Sequence, residues 1–177
     1  RAIAPVWDGN ETWLILGGGG LFVAFPAAYA MIMPAMYVPV VLMLLALVFR
    51  GVAFEFRFAA KPNHALWDVA FAGGSATAAF CQGVVLGGLV EGITVKDGAF
   101  AGGPLDILSP FSVLTGLAVV TGYTVTGAGW LMLRTSGQLA RQAARWASTA
   151  ILLLLGFIAA VSIATTLVAP QAVLRWF

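Results

Sequence analysis

Apolar residues in this chain do not alternate at a strand period, nor do they keep to one stripe of a helix. They run for about twenty residues at a time, with polar residues gathered in the gaps. A run of about 20 apolar residues, at roughly 1.5 Å rise per residue, crosses a hydrocarbon core of about 30 Å as a helix. That ruler predicts five spans, at 13–33, 36–54, 66–90, 110–133 and 146–169. No repeat or low-complexity stretch interrupts them and no gap is long enough for a soluble domain, so residues 1–177 are expected to form a single membrane domain, an all-α polytopic transmembrane helical bundle. The first two spans meet at Met33-Pro34-Ala35-Met36, a turn tight enough to predict an antiparallel helical hairpin. Pro26 removes an amide donor inside the first span and predicts a kink there.

Composition closes off other classes. The chain is 61% hydrophobic and 9% charged, with a mean hydropathy of +0.98, against about 25% charged for a soluble domain. Too few charges are present to cover a water-facing surface, which excludes a soluble enzyme, a disordered chain and a disulfide-stapled module. The single cysteine, Cys81, has no internal partner. Net charge is +2, but the basic residues are too scattered for a nucleic-acid patch. The chain opens Arg1-Ala2-Ile3-Ala4-Pro5, without a charged n-region leading into an apolar run, and is expected to be a piece of a longer protein.

The placement of charge gives an orientation. Arg1 precedes the first span, Arg50, Arg57 and Lys61 lie between the second and third, and Arg134, Arg141 and Arg145 lie between the fourth and fifth. If all five segments cross, these collect on one side and leave only Lys96 and Arg175 on the other. The positive-inside rule makes the first side, with its 50–64 and 134–145 loops, cytoplasmic, and turns the Lys96-Asp97-Gly98 loop outward. Trp7, Trp13, Trp67, Trp130 and Trp146 fall near span ends, where an aromatic belt meets lipid.

Candidate chemistry is sparse. The run Gly17-Gly18-Gly19-Gly20 lacks the strand-loop-helix context of a phosphate loop and is read as a place of close helix contact, as are Gly83 with Gly87 and Gly73 with Thr77. Asp8 has two readings. Asp8-Gly9-Asn10-Glu11 has capping-box spacing ahead of an apolar run, and two carboxyls at the mouth of a membrane helix also suit proton collection, since acids in a bilayer are costly and face polar paths. Arg57 reads as a snorkelling residue, Asp68 as a complement to a helix dipole, and the deeper Arg50 as a partner for Asp8 or for an anionic cofactor group. Gln82 is read as an interhelical hydrogen-bond donor, while Thr121, Thr124 and Thr126 with Tyr123 suit backbone bonding or a hydrated path. His64 is the only histidine, and Cys81 lies a whole span away, so no metal site is expected in this chain.

The stretch Pro5-Val6-Trp7-Asp8-Gly9-Asn10-Glu11-Thr12-Trp13-Leu14 resembles the PxWDGNxxWL signature of subunit II of cytochrome bd-type quinol oxidases. Phe49-Arg50-Gly51-Val52-Ala53-Phe54-Glu55-Phe56-Arg57, Leu108-Ser109-Pro110-Phe111, Gly127-Ala128-Gly129-Trp130-Leu131 and Arg134-Thr135-Ser136-Gly137-Gln138-Leu139 match that family in the same order. Phe80-Cys81-Gln82-Gly83 with Leu86-Gly87 is similar to its cyanide-insensitive branch. Val6 departs from relatives that carry His there, and Arg134 stands where Lys is common. The resemblance implies five of eight spans of a multi-pass subunit in the bacterial inner membrane. It also implies a partner, subunit I, that holds haem b, haem d, the quinol site and the dioxygen-reducing centre, and it leaves room for a small accessory subunit. It puts Asp8 on a proton path from the cytoplasm and Trp13 beside a route for dioxygen. Glu11 is read as a companion to Asp8, and Arg50 as their charge partner. A secondary transporter or exporter is the competing class, with a kinked first helix and polar fourth span lining a path. A scaffold in which Asp8 is only a cap is the third reading.

Overall fold

In lipid every backbone N–H and C=O has to be paired within the protein, and a helix pairs them within one segment. The computed structural model describes residues 9–59 and 64–169. Within them the order is α1 (Gly9–Ala24), α2 (Pro26–Ala35), α3 (Tyr37–Ala59), α4 (His64–Glu91), β1 (Val95–Lys96), β2 (Ala99–Phe100), α5 (Pro110–Arg134) and α6 (Gln138–Val168). Four helical stretches, Tyr37–Arg57, His64–Glu91, Pro110–Arg134 and Gln138–Val168, are long and apolar enough to cross a membrane. The fold is an all-α transmembrane bundle.

Over 13–33, where the sequence predicts one kinked helix, there are two. α1 ends at Ala24, Phe25 takes φ −136° and ψ 62°, and Pro26 opens α2. A proline has no N–H and pushes the residue before it out of the helical region, so a helix starts at Pro26 more readily than it passes through. The Phe25 N–H still donates to the Leu21 carbonyl at 2.9 Å, and the Tyr29 N–H to the Phe25 carbonyl at 2.9 Å. The expected antiparallel return is present but loosely packed: Leu14 of α1 packs on the cluster that Met43 and Ala46 of α3 form with Ala78 and Cys81 of α4.

Two further boundaries differ from expectation. α3 continues to Ala59 and α6 begins at Gln138, well ahead of Trp146, so Arg57, Arg141 and Arg145, like Arg50, stand on helices. No proline or glycine stops α3 before Pro62, and none delays α6 after Gly137, which takes φ 72° between α5 and α6. The 91–109 connection is also more ordered than a plain Gly-rich loop. Val95 pairs with Phe100 and Lys96 with Ala99 around Asp97 (φ 51°) and Gly98 (φ 77°), the two positive-φ positions of a type I′ turn.

Each of α3 to α6 packs along its sequence neighbours, and small residues set the spacing. A Cβ on Gly83 would stand 2.5 Å from the Thr115 carbonyl oxygen and 2.6 Å from the Gly116 Cα, and one on Gly87 would stand 2.5 Å from the Ser112 Cα. The expectation for this pair holds. Ser112 and Thr115 are buried in the same seam, where the Thr115 hydroxyl donates to the Gly83 carbonyl at 2.8 Å. By contrast, among the described residues no atom lies within 4 Å of a Cβ on Gly17, Gly18, Gly19, Gly20 or Gly73, so the close contact expected there is not made among them. On α4 the glycine that meets α3 is Gly74, whose Cβ would stand 2.7 Å from the Ala46 carbonyl oxygen, because the contact face is turned by one residue.

Gly83→Leu is therefore expected to destabilise the full-length protein by about 3 kcal/mol or more, since a backbone rather than a flexible side chain must move. Gly73→Ala is expected to cost nothing. Unfolding midpoints in detergent micelles check both, and equal effects at the two glycines would contradict the packing described.

Candidate functional site

The charges that enter the bundle converge at one end of α1, α3 and α4. α1 begins at Gly9, and its first turn carries Glu11, whose Oε1 lies 3.3 Å from Arg50 Nε on α3. Both side chains are about four-fifths shielded, with 19% and 21% exposure, so the pair is not a surface ion pair screened by water. α4 closes the arrangement. The Arg50 guanidinium stands over the Phe71 ring, 5.8 Å from its centroid, and Phe71 is tilted against Phe54 at 6.2 Å. Gly74, one turn along α4, has its Cβ position 3.2 Å from the Arg50 backbone nitrogen. The arginine is thus fixed by a carboxylate on one side, an aromatic face on another, and a helix backbone behind it.

Asp8, Trp7 and Lys61 lie outside the described residues, so the cap and the Asp8–Arg50 pairing are expectations without geometry. Trp13 follows Glu11 by two positions, about 200° around the helix. Glu11 turns to α3, while Trp13 is 72% exposed and turns away from it. Leu14, one turn beyond Glu11, packs on Met43, Ala46, Ala78 and Cys81 and holds α1 to α3.

A second ion pair joins α3 to α4. Arg57 binds the Asp68 carboxylate through both Nε and Nη2, and His64 Nδ1 lies 2.9 Å from the Arg57 carbonyl oxygen. Both charged side chains are about half exposed, so this pair adds little stability. Along the sequence Arg57 and Asp68 read as separate roles, because nothing in their spacing shows that two helices bring them together. Gln82 does make an interhelical hydrogen bond, but as acceptor: the Tyr123 hydroxyl donates to its Oε1 at 2.8 Å. Thr121, Thr124 and Thr126 donate to the carbonyls of Leu117, Val120 and Gly122 at 2.8, 2.9 and 3.0 Å, which engages these hydroxyls within α5. At the opposite end of the bundle Glu91 accepts from the Ser109 hydroxyl beside a cleft of about 230 Å³ that Asp106 also lines. Among the described residues no three His, Cys, Asp or Glu side chains come together as a metal site.

The family described as cytochrome bd terminal oxidase subunit II matches residues 1–176. The chain is 35% identical over 146 residues to the cytochrome bd-I ubiquinol oxidase subunit 2 of Escherichia coli (strain K12), covering 78% of this chain and 38% of that one. It is 37% identical over 152 residues to the cytochrome bd ubiquinol oxidase subunit 2 of Bacillus subtilis (strain 168), covering 83% of this chain and 44% of that one. The chain thus spans about half the length of these relatives.

The shielding of Glu11 and Arg50 predicts a coupled pair. In a double-mutant cycle of Glu11→Gln and Arg50→Gln on the full-length protein, the coupling free energy is expected to be about 1 kcal/mol or more. Denaturant titration in micelles measures it, and a coupling below about 0.3 kcal/mol would show that the two side chains act independently.

Proposed function

Because the chain belongs to the cytochrome bd terminal oxidase subunit II family, we propose that it forms the core of a subunit serving a membrane complex that oxidises quinol and reduces dioxygen to water. The observation that supports this best is the shielded Glu11–Arg50 pair next to the Trp7-Asp8-Gly9-Asn10 motif, a charged entrance in an otherwise apolar bundle. A bilayer-facing acid is expensive, and one held by a guanidinium at a helix mouth has a position from which protons can be passed inward. In this reading Asp8 accepts protons from the cytoplasm, Glu11 is the next carboxylate one turn into α1, and Arg50 steadies the negative charge. Trp13, turned outward, lines a route for dioxygen along the seam with a partner.

Haem b, haem d and the quinol site are assigned to that partner, subunit I. The residues described here do not fit a haem-ligating role: His64, the only histidine, lies against the Arg57 carbonyl, and Cys81 is buried among Met43, Ala46 and Ala78. No step is therefore routed through haem in this chain. What the chain supplies is proton delivery from the arginine-rich side, which is read as cytoplasmic in the bacterial inner membrane. With quinol oxidised near the outer face and protons consumed from within, the complex builds a potential without pumping. The five spans at 13–33, 36–54, 66–90, 110–133 and 146–169 belong to eight in this reading, with a small accessory subunit accommodated beside them. Nothing in the family match or the geometry favours the transporter alternative.

Asp8→Asn in the assembled complex is expected to lower quinol-oxidase turnover about tenfold or more while leaving haem absorbance unchanged. Turnover equal to the unmodified complex would leave Asp8 with only a capping role. Purification of the full-length subunit without any haem-containing partner would end the oxidase reading.

A further inference from the structure

The arginines of α6 do not take part in the site above, and their surroundings identify a different ligand. α6 is 31 residues long, about 46 Å at 1.5 Å per residue, against a hydrocarbon thickness of about 30 Å. Counted back from Val168, about 20 residues cross the apolar layer, which leaves Arg141 and Arg145 in the headgroup layer. α6 rests on α5 through the buried Ala143, Ala147 and Ala150. At 100° per residue Arg141 and Arg145 lie on the opposite side of the helix from these alanines, and both are exposed.

Among the described residues no carboxylate pairs with them. The sequence contains no Asp or Glu after Asp106, and among the described residues the ion pairs are Glu11–Arg50 and Arg57–Asp68. Two guanidinium groups at i and i+4 stand side by side and repel each other unless an anion lies between them. Below them on the same side of the helix come Ser148, then Leu152 at 71% exposure and, further down, Ile163 at 66%. Trp146 lies beside Arg145, half exposed, at belt height. This face therefore reads from the helix start as two cations, a hydroxyl and an apolar ladder, the same sequence of chemistry as one anionic phospholipid from headgroup to acyl chain. An acidic protein surface would match the arginines but not the ladder.

We infer that the Arg141–Arg145 face of α6 binds the phosphate headgroup of an anionic phospholipid, with its acyl chain along Leu152 and Ile163. Guanidinium groups engage phosphate oxygens through paired N–H donors, and a basic residue at the membrane surface strengthens anionic-lipid binding by about fivefold. The inference needs only that α6 crosses the membrane, and it is independent of the proposed oxidase activity.

Native mass spectrometry of the full-length subunit, with whatever subunits co-purify, tests it against dioleoylphosphatidylglycerol and dioleoylphosphatidylcholine in turn. Arg141→Ala/Arg145→Ala is expected to weaken retention of phosphatidylglycerol by about twenty-five-fold, the product of two fivefold losses, with phosphatidylcholine retention unchanged. Arg141→Lys/Arg145→Lys is expected to stay within about fivefold of the unmodified protein. Phosphatidylglycerol retention unaltered by the alanine pair would overturn the proposal. So would loss of a protein subunit or failure to fold in the alanine pair, because either result would assign the arginines to a protein contact rather than to lipid.

Discussion

Lipid tails are as apolar as leucine, so the solvent does not push these helices together; what holds them is how closely their backbones can approach. The α4–α5 seam meets that demand with Gly83, Gly87 and Gly116, where any added Cβ would overlap a neighbouring backbone or the Phe80 ring. The α3–α4 seam meets it with Gly74 against Ala46 and Arg50, and α6 settles on α5 through Ala143, Ala147 and Ala150. Everything chemical in the chain depends on this spacing. Were α4 held further from α3 by a side chain at position 74, Phe71 would not lie over the Arg50 guanidinium.

The same constraint explains how polar groups are treated. A hydroxyl in lipid needs an acceptor, and most of those here find one in the carbonyl a turn earlier on their own helix, as Ser75 does with Phe71 at 2.7 Å. Thr115 and Tyr123 reach across to α4 and tie the two helices through the Gly83 carbonyl and the Gln82 amide. Charged side chains are few and placed toward helix ends, and the deepest of them, Arg50, is enclosed together with its partner Glu11. That enclosure separates Glu11–Arg50 from Arg57–Asp68: the first can hold a defined charge inside the bundle, whereas the second is bathed by water and joins α3 to α4.

Much of the fold can be read along the sequence. Apolar run length locates the helices, because a bilayer imposes one length on every crossing segment, and the Gly83–Gly87 spacing correctly marks a seam. What is not legible is phase and partnership. Gly73 and Gly74 are equivalent in sequence, and only the rotation of α4 against α3 selects the second. Helix ends are misjudged wherever a helix runs on past the hydrocarbon, as α3 and α6 do, since hydropathy registers the solvent and not the hydrogen bonding. Pro26 announces a disturbance without saying whether it bends a helix or divides it; the non-helical Phe25 decides. In the candidate site, Glu11 and Arg50 are visible as unusual charges, but Phe71 is invisible, an ordinary phenylalanine until α4 lays it over the arginine.

From α3 onward every helix packs chiefly on the one made just before or just after it, and only three residues, 135–137, separate α5 from α6. Low contact order of this kind closes small loops at small entropic cost and favours rapid pairing. Synthesis runs from the N-terminus, so α1 and α3 are available to each other before α4 has been made. Glu11 can therefore meet Arg50 first, and the aromatic face and glycine backbone of α4 arrive afterwards. The charge is paired before it is enclosed, an order that spares the growing chain a lone arginine buried in lipid.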